Sequence, residues 1–252
     1  MEIVQLPSNV SKVPKNFRCL LIGASEAGKS TWIAKLIKNK AKVFHQPGYA
    51  KFIYCSPNLG ESVLSSERDL DYQKSLREWA EPSEIIFLNH IITEEELFEE
   101  STATTGRLLL IIDDFSLEIF STDLVYQLFT RLSSHSAIDT CISLHQGATS
   151  KSPGKGYSLI SNNSNFLTIF RNIANRASIG ELSKRIFPYG KNFLQRCLNE
   201  ATNICGSYAY IVVDASLKNP LNNKFGVRTN IFEENGLPML MMKSPSVYYG
   251  AH

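Results

Sequence analysis

The apolar run Cys19-Leu20-Leu21-Ile22 passes directly into Gly23-Ala24-Ser25-Glu26-Ala27-Gly28-Lys29-Ser30-Thr31, and that junction leaves the chain few folds to choose from. The residues that follow, Trp32, Ile33, Leu36 and Ile37, recur at helical spacing, so the stretch predicts a strand, a glycine loop and a helix, the order of a P-loop. Backbone N–H groups can wrap a phosphate chain only where no Cβ intervenes, which is the use of Gly23 and Gly28. The loop feeds a helix N-terminus whose unpaired N–H groups and dipole favour anions. On this reading the loop binds a nucleotide's phosphate chain, Lys29 reaches the β and γ phosphates, and the Ser30 hydroxyl holds Mg²⁺.

Leu108-Leu-Leu-Ile-Ile-Asp113-Asp114 is the second informative stretch. Consecutive apolar residues predict a strand buried on both faces, and adjacent carboxylates at its end are expensive unless a cation or a reaction uses them. Asp113 is the expected Mg²⁺ ligand and Asp114 the carboxylate that orients or deprotonates the attacking water. An alternative reading makes the acids a cap for a helix expected over Phe115 to Ser134. Lys51 to Pro57 and Glu84 to Leu88 predict two further strands, with helices over Ser62 to Trp79 and Thr93 to Glu100; Thr93 and Glu96 have capping-box spacing. Two strands between the P-loop and the acids suggest the additional-strand class of P-loop NTPases, an α/β three-layer sandwich with a mainly parallel central sheet. Thr140 to Gln146 predicts the strand beside the acids, with Gln146 able both to accept from water and to donate to phosphate. Later strands are expected over Phe166 to Arg171, Ser207 to Asp214 and Gly226 to Phe232, the last two as an antiparallel pair at the sheet edge. Helices are expected over Ala174 to Phe187 and Lys191 to Ala201.

The 252 residues suit one domain over 16–232, with an extended arm over 1–15 and a tail over 233–252. No apolar run approaches a membrane span, and the first residues lack a signal-peptide pattern, so a soluble, cytosolically made protein is expected. The five scattered cysteines suggest reduced core thiols and no zinc motif. A net charge of +2 hides an asymmetry: 14 Lys and Arg against 19 Asp and Glu in residues 1–150, then 12 against 5, balances of −5 and +7. The basic part could face a polyanion or simply be solvated, and the Ser, Gly, Asn and Lys loop over Gln146 to Asn165 could touch DNA or be a mobile surface loop.

The pieces GASEAGKST, LLLIIDDF, ISLHQ, FRNIANRASIGELSKRIFP and YAYIVVDASLKNPLNNKFGVRTNIF, in that order over Phe17 to Phe232, resemble the DNA-packaging ATPases of the FtsK/HerA superfamily. The type is the poxvirus one found in polinton (maverick) elements and adintovirus-like viruses. The resemblance implies a RecA/FtsK-like fold, ATP phosphates on Gly23 to Thr31, Mg²⁺ on Asp113, Asp114 as catalytic carboxylate and Gln146 as sensor. It implies a homo-oligomeric ring, hexamer or pentamer, that translocates double-stranded DNA into a capsid of partner proteins, at a virus assembly site in the host nucleus or cytoplasm. A ring of this kind needs a cation from the neighbouring subunit, for which Arg131 and Arg176 are the candidates. The chain departs from the pattern in having His145-Gln146-Gly147 where Thr-Gln-Asn is expected, and Asp114 where the superfamily has a longer Glu. Two rivals share the P-loop: a nucleoside or nucleotide kinase, whose Arg-rich lid is missing from Lys151 to Gly156, and an ATP-binding assembly scaffold without turnover.

Overall fold

In the computed structural model, which describes residues 2–5, 13, 16–44, 48–59, 67–81, 84–115, 119, 122–132, 136–144, 160–171, 176–187, 192–215, 226–232 and 238–241, the apolar runs pair into one 10-stranded sheet. Its strands are β1 (Glu2–Gln5), β2 (Arg18–Ile22), β3 (Tyr49–Cys55), β4 (Ile85–Leu88), β5 (Arg107–Ile112), β6 (Ile138–Leu144), β7 (Phe166–Phe170), β8 (Tyr210–Asp214), β9 (Gly226–Arg228) and β10 (Pro238–Met241). They lie in the order β1-β10-β9-β8-β7-β2-β6-β5-β3-β4. From β7 to β4 every pairing is parallel, and from β7 outward through β8, β9, β10 and β1 every pairing is antiparallel. One strand, β6, separates β2 from β5, as the additional-strand arrangement requires.

Residues along a strand alternate between faces, and both faces here are apolar, so both must be covered. Cys19 and Leu21 of β2, Phe52 and Tyr54 of β3 and Leu109 and Ile111 of β5 share a core with α1 (Lys29–Lys38), α2 (Lys40–Val43) and α3 (Glu67–Trp79). Trp32, Ile33, Leu36 and Ile37, the predicted stripe of α1, are all buried there. The alternate residues Leu20, Ile22, Ile53, Leu108, Leu110 and Ile112 pack against α4 (Glu94–Ala103), α5 (Asp123–Gln127), α6 (Arg176–Ile186) and α7 (Phe193–Cys205). The result is a three-layer α/β sandwich whose loops at the carboxyl ends of the parallel strands carry both marked motifs. The buried Arg228 guanidinium of β9 donates to the Asp214 carboxylate of β8 at 2.6 Å, tying the antiparallel half together.

Several expectations change. The helix expected over Phe115 to Ser134 is not continuous: Thr122 donates through its N–H and hydroxyl to the Ile119 carbonyl, and the helix begins only at Asp123. It then widens into a π-helical turn, Leu128–Leu132. The pair β8 and β9 is antiparallel but not at the edge, because Pro238–Met241, inside the expected tail, pairs with β9 and in turn with Glu2–Gln5 of the expected arm. A short antiparallel strand costs little loop entropy once a sheet edge offers unpaired N–H and C=O groups, and composition alone does not register that opportunity. The capping box forms: the Glu96 N–H donates to Thr93 Oγ1 at 3.2 Å and the Thr93 N–H to Glu96 Oε2 at 2.8 Å. All five cysteines are unbridged, and four are buried. Among the described residues no helix is long and apolar enough to cross a membrane.

Candidate active site

Gly23 follows directly on β2, and its N–H donates to the Leu144 carbonyl at the end of β6, so the loop starts in sheet register. A Cβ at this position would lie 2.8 Å from the Phe170 Cβ, which makes glycine a packing requirement of the neighbouring β7 as well as a way of exposing backbone. The loop then turns through positive φ at Glu26 (60°) and Gly28 (95°), conformations easy for glycine and strained for a side chain such as glutamate. Gly28 caps α1 without a side-chain hydrogen bond, and the first turn of that helix carries no acidic residue. The first intrahelical donor is the Trp32 N–H, to the Gly28 carbonyl. An anion approaching Lys29, Ser30 and Thr31 therefore meets helix N–H groups and no competing carboxylate on the helix itself.

The Lys29 side chain bends back over the loop, donating from Nζ to the carbonyls of Gly23 (3.1 Å) and Ala24 (2.7 Å). Burial pushes its ammonium below the ordinary lysine value, while the charges of Asp113 and Asp114 hold it back up. The acids face the loop across β6. Ser30 Oγ donates to Asp113 Oδ2 at 3.0 Å, joining residues 83 positions apart in the chain. A serine hydroxyl and a carboxylate converging at that distance are hard oxygen donors, the set that suits Mg²⁺ when phosphate oxygens and water complete the shell. Asp114 sits one residue further on at φ 65°, a left-handed turn that short acids tolerate better than most side chains. Its Oδ2 accepts from Asn58 Nδ2 at 2.7 Å.

Three residues not singled out from sequence complete the cluster. The Tyr54 hydroxyl, on a residue 2% exposed, donates to Asp113 Oδ2 at 2.6 Å. Tyr72, on α3, donates to the Ser30 carbonyl at 2.8 Å, and Asn58 holds Asp114 as described. Burial and the adjacent Asp113 charge raise both phenols well above the ordinary tyrosine value. A signal did exist for Tyr54 and Asn58: they flank the end of the apolar run that closes at Pro57, the end of a strand where ligands gather. Tyr72 carried none.

The remaining candidates are placed differently. Gln146 lies outside the described residues, two positions beyond the end of β6. Arg131 is exposed on the π-helical turn. The Ser136 N–H donates to the Leu132 carbonyl just before β6 starts, so Arg131 belongs to the amino ends of the strands and is not brought to its own P-loop. Arg176 opens α6 after β7 has ended on the P-loop side of the sheet.

No family description and no curated protein matches the chain. Among solved structures it is similar to ATPases 2 and 3 of Thermomonospora curvata EccC in complex with a signal sequence peptide, at 17% identity and a TM-score of 0.34 over 60% of this chain and 29% of that one. It is also similar to the cytoplasmic domain of the T. curvata type VII secretion ATPase EccC, at 16% identity and a TM-score of 0.40 over 69% of this chain and 23% of that one. The chain thus spans less than a third of either EccC chain. Its own strand order, with the glycine loop after β2 and the paired acids after β5, is that of an additional-strand P-loop NTPase.

Proposed function

We propose that the chain is an ATP-hydrolysing translocase that drives double-stranded viral or mobile-element DNA into a capsid, working as a homo-oligomeric ring. The observation that carries the ATPase part is the Ser30 to Asp113 contact at 3.0 Å, which brings the end of the glycine loop to the paired acids in one cleft. DNA, ring and capsid rest on the ordered motifs over Phe17 to Phe232 that resemble packaging ATPases, and the basic C-terminal part suits a polyanion.

In this mechanism the loop from Gly23 to Thr31 cradles the triphosphate with the helix N–H groups of Lys29, Ser30 and Thr31, and Lys29 moves from the loop carbonyls to the β and γ phosphate oxygens. Ser30 and Asp113 would hold Mg²⁺, which would supply neutralisation of the phosphate charge. Tyr54 fixes the Asp113 carboxylate, and Asn58 holds one oxygen of Asp114. Asp114 orients a water in line with the γ-phosphoryl and takes its proton as the bond to the β-phosphate oxygen breaks. An arginine of the neighbouring subunit, Arg131 or Arg176, stabilises the charge spread over the transferred group.

The test is phosphate release from ATP with and without duplex DNA. Wild type turns over faster with DNA, and Lys29→Ala abolishes turnover. Turnover indifferent to DNA overturns the translocase, and transfer of phosphate to a nucleoside in place of water makes the protein a kinase. Sedimentation with ATP and DNA present checks the ring, and a strict monomer throughout ends that part.

A further inference from the structure

The turn between α7 and β8 presents an aromatic ring beside the phosphate loop that no step above uses. Tyr208 is 74% exposed, more than any other large apolar or aromatic side chain described. Exposed single aromatics are common on protein surfaces, so exposure alone says little. Its setting is more specific. A Cβ built on Gly28 would lie 3.7 Å from Tyr208 Cδ1, its one neighbour within 4 Å among the described residues beyond the adjoining backbone, so the ring borders the N-terminus of α1 directly. The backbone under it is tied down on both sides: Gly206 N–H donates to the Thr202 carbonyl at 2.9 Å and Ala209 N–H to the Gly206 carbonyl at 3.2 Å. Arg171 N–H, just past β7, donates to the Ala209 carbonyl at 3.3 Å. A ring exposed to water on a turn stapled to the sheet is a preformed platform.

The strand order says what would lie on it. The order β8-β7-β2-β6-β5 places Asp113 and Asp114 on one side of the P-loop strand and Tyr208 on the other. A triphosphate whose γ end meets the acids must leave the cradle towards β7 and β8, carrying its nucleoside past Gly28. We infer that Tyr208 is the stacking platform for the base of the bound nucleotide. The inference rests on the nucleotide reading above and adds a base-binding element to it. Stacking uses the flat face that every base has and reads none of its edges, so this element confers affinity without strong base selectivity.

Equilibrium binding of ATP, GTP, CTP and inorganic tripolyphosphate to the full chain in Mg²⁺ tests it, with wild type, Tyr208→Ala and Tyr208→Phe. Loss of one base–aromatic stack weakens ATP binding by about tenfold in the Ala variant, and the Phe variant stays within about twofold of wild type. Tripolyphosphate, which has no base, binds all three equally, and wild type holds ATP, GTP and CTP within about tenfold of one another. Unchanged ATP affinity in Tyr208→Ala, or a parallel loss for tripolyphosphate, overturns the platform and leaves the phosphate site standing. Wild type that binds neither ATP nor tripolyphosphate removes the nucleotide reading and the platform with it.

Discussion

Replacing Tyr54 by Phe removes one oxygen and leaves the ring in place against Tyr72 and Phe87, whose centroids lie 6.0 Å and 6.0 Å away. The lost bond is the shorter of the two hydroxyl contacts on Asp113 Oδ2, 2.6 Å against 3.0 Å from Ser30. At 2% exposure no bulk water replaces it. A buried hydrogen bond to a carboxylate is worth about 1.5–3 kcal/mol, so Tyr54→Phe should lower unfolding free energy by that amount. Tyr72→Phe loses a 2.8 Å bond to the neutral Ser30 carbonyl on a partly exposed side chain, which is worth about 0.5–1.5 kcal/mol. Urea unfolding of both variants at neutral pH, with unchanged m-values, measures the two losses directly. The two hydroxyls are 3.5 Å apart and converge on the same serine and aspartate, so the double variant should depart from additivity. A loss below about 0.5 kcal/mol for Tyr54→Phe, or a larger one for Tyr72→Phe, would refute the assignment of Tyr54 as the residue that fixes Asp113.

Three further outcomes follow from packing and charge. Gly23→Ala sets two backbone-anchored Cβ atoms 2.8 Å apart, so stability should fall by about 1–3 kcal/mol in urea unfolding; a neutral variant would show that β7 yields freely. Arg228→Leu leaves the Asp214 carboxylate buried without its guanidinium and should cost about 3–5 kcal/mol, most of it recovered in Asp214→Leu/Arg228→Leu; equal losses in the single and double variants would contradict the pairing. Burial lifts the Cys55 and Cys197 thiols from 9.0 to about 12 and the Tyr54 phenol well above 10, so their stabilisation is complete below the unfolded values. Above them the unfolded chain sheds protons that the folded chain keeps, and stability should fall from about pH 9 upward by at most about 1.4 kcal/mol per pH unit for each group. Lys29, lowered by burial, opposes this as a single group. Urea midpoints that stay level from pH 8 to 11 would deny that these groups are shielded.

The local pattern carried the parts of the fold that depend on neighbours in sequence. The run Leu108 to Ile112 reads as a strand buried on both faces and the glycine spacing from Gly23 to Gly28 as a turn entering a helix, because each rests on conformational preferences a few residues long. Thr93 and Glu96 formed their capping box for the same reason. The helix expected after the acids starts late because Thr122, the residue that precedes its first turn, bonds back to Ile119.

Contacts made at long range were decided by the sheet. Which strand lies beside which brings Tyr54 and Asp113 within 2.6 Å across 59 residues and sets the ring of Tyr208 beside Gly28, and it draws Glu2–Gln5 and Pro238–Met241 into one ladder. No spacing in the chain encodes these meetings, because the interactions that produce them are non-directional burial and edge pairing, satisfied only once the whole sheet has closed. The sequence by itself determined which chemical groups stand at the glycine loop and at the end of the Leu108 strand. Tertiary structure decided which neighbours hold those groups in position, since only packing fixes distances between residues far apart along the backbone.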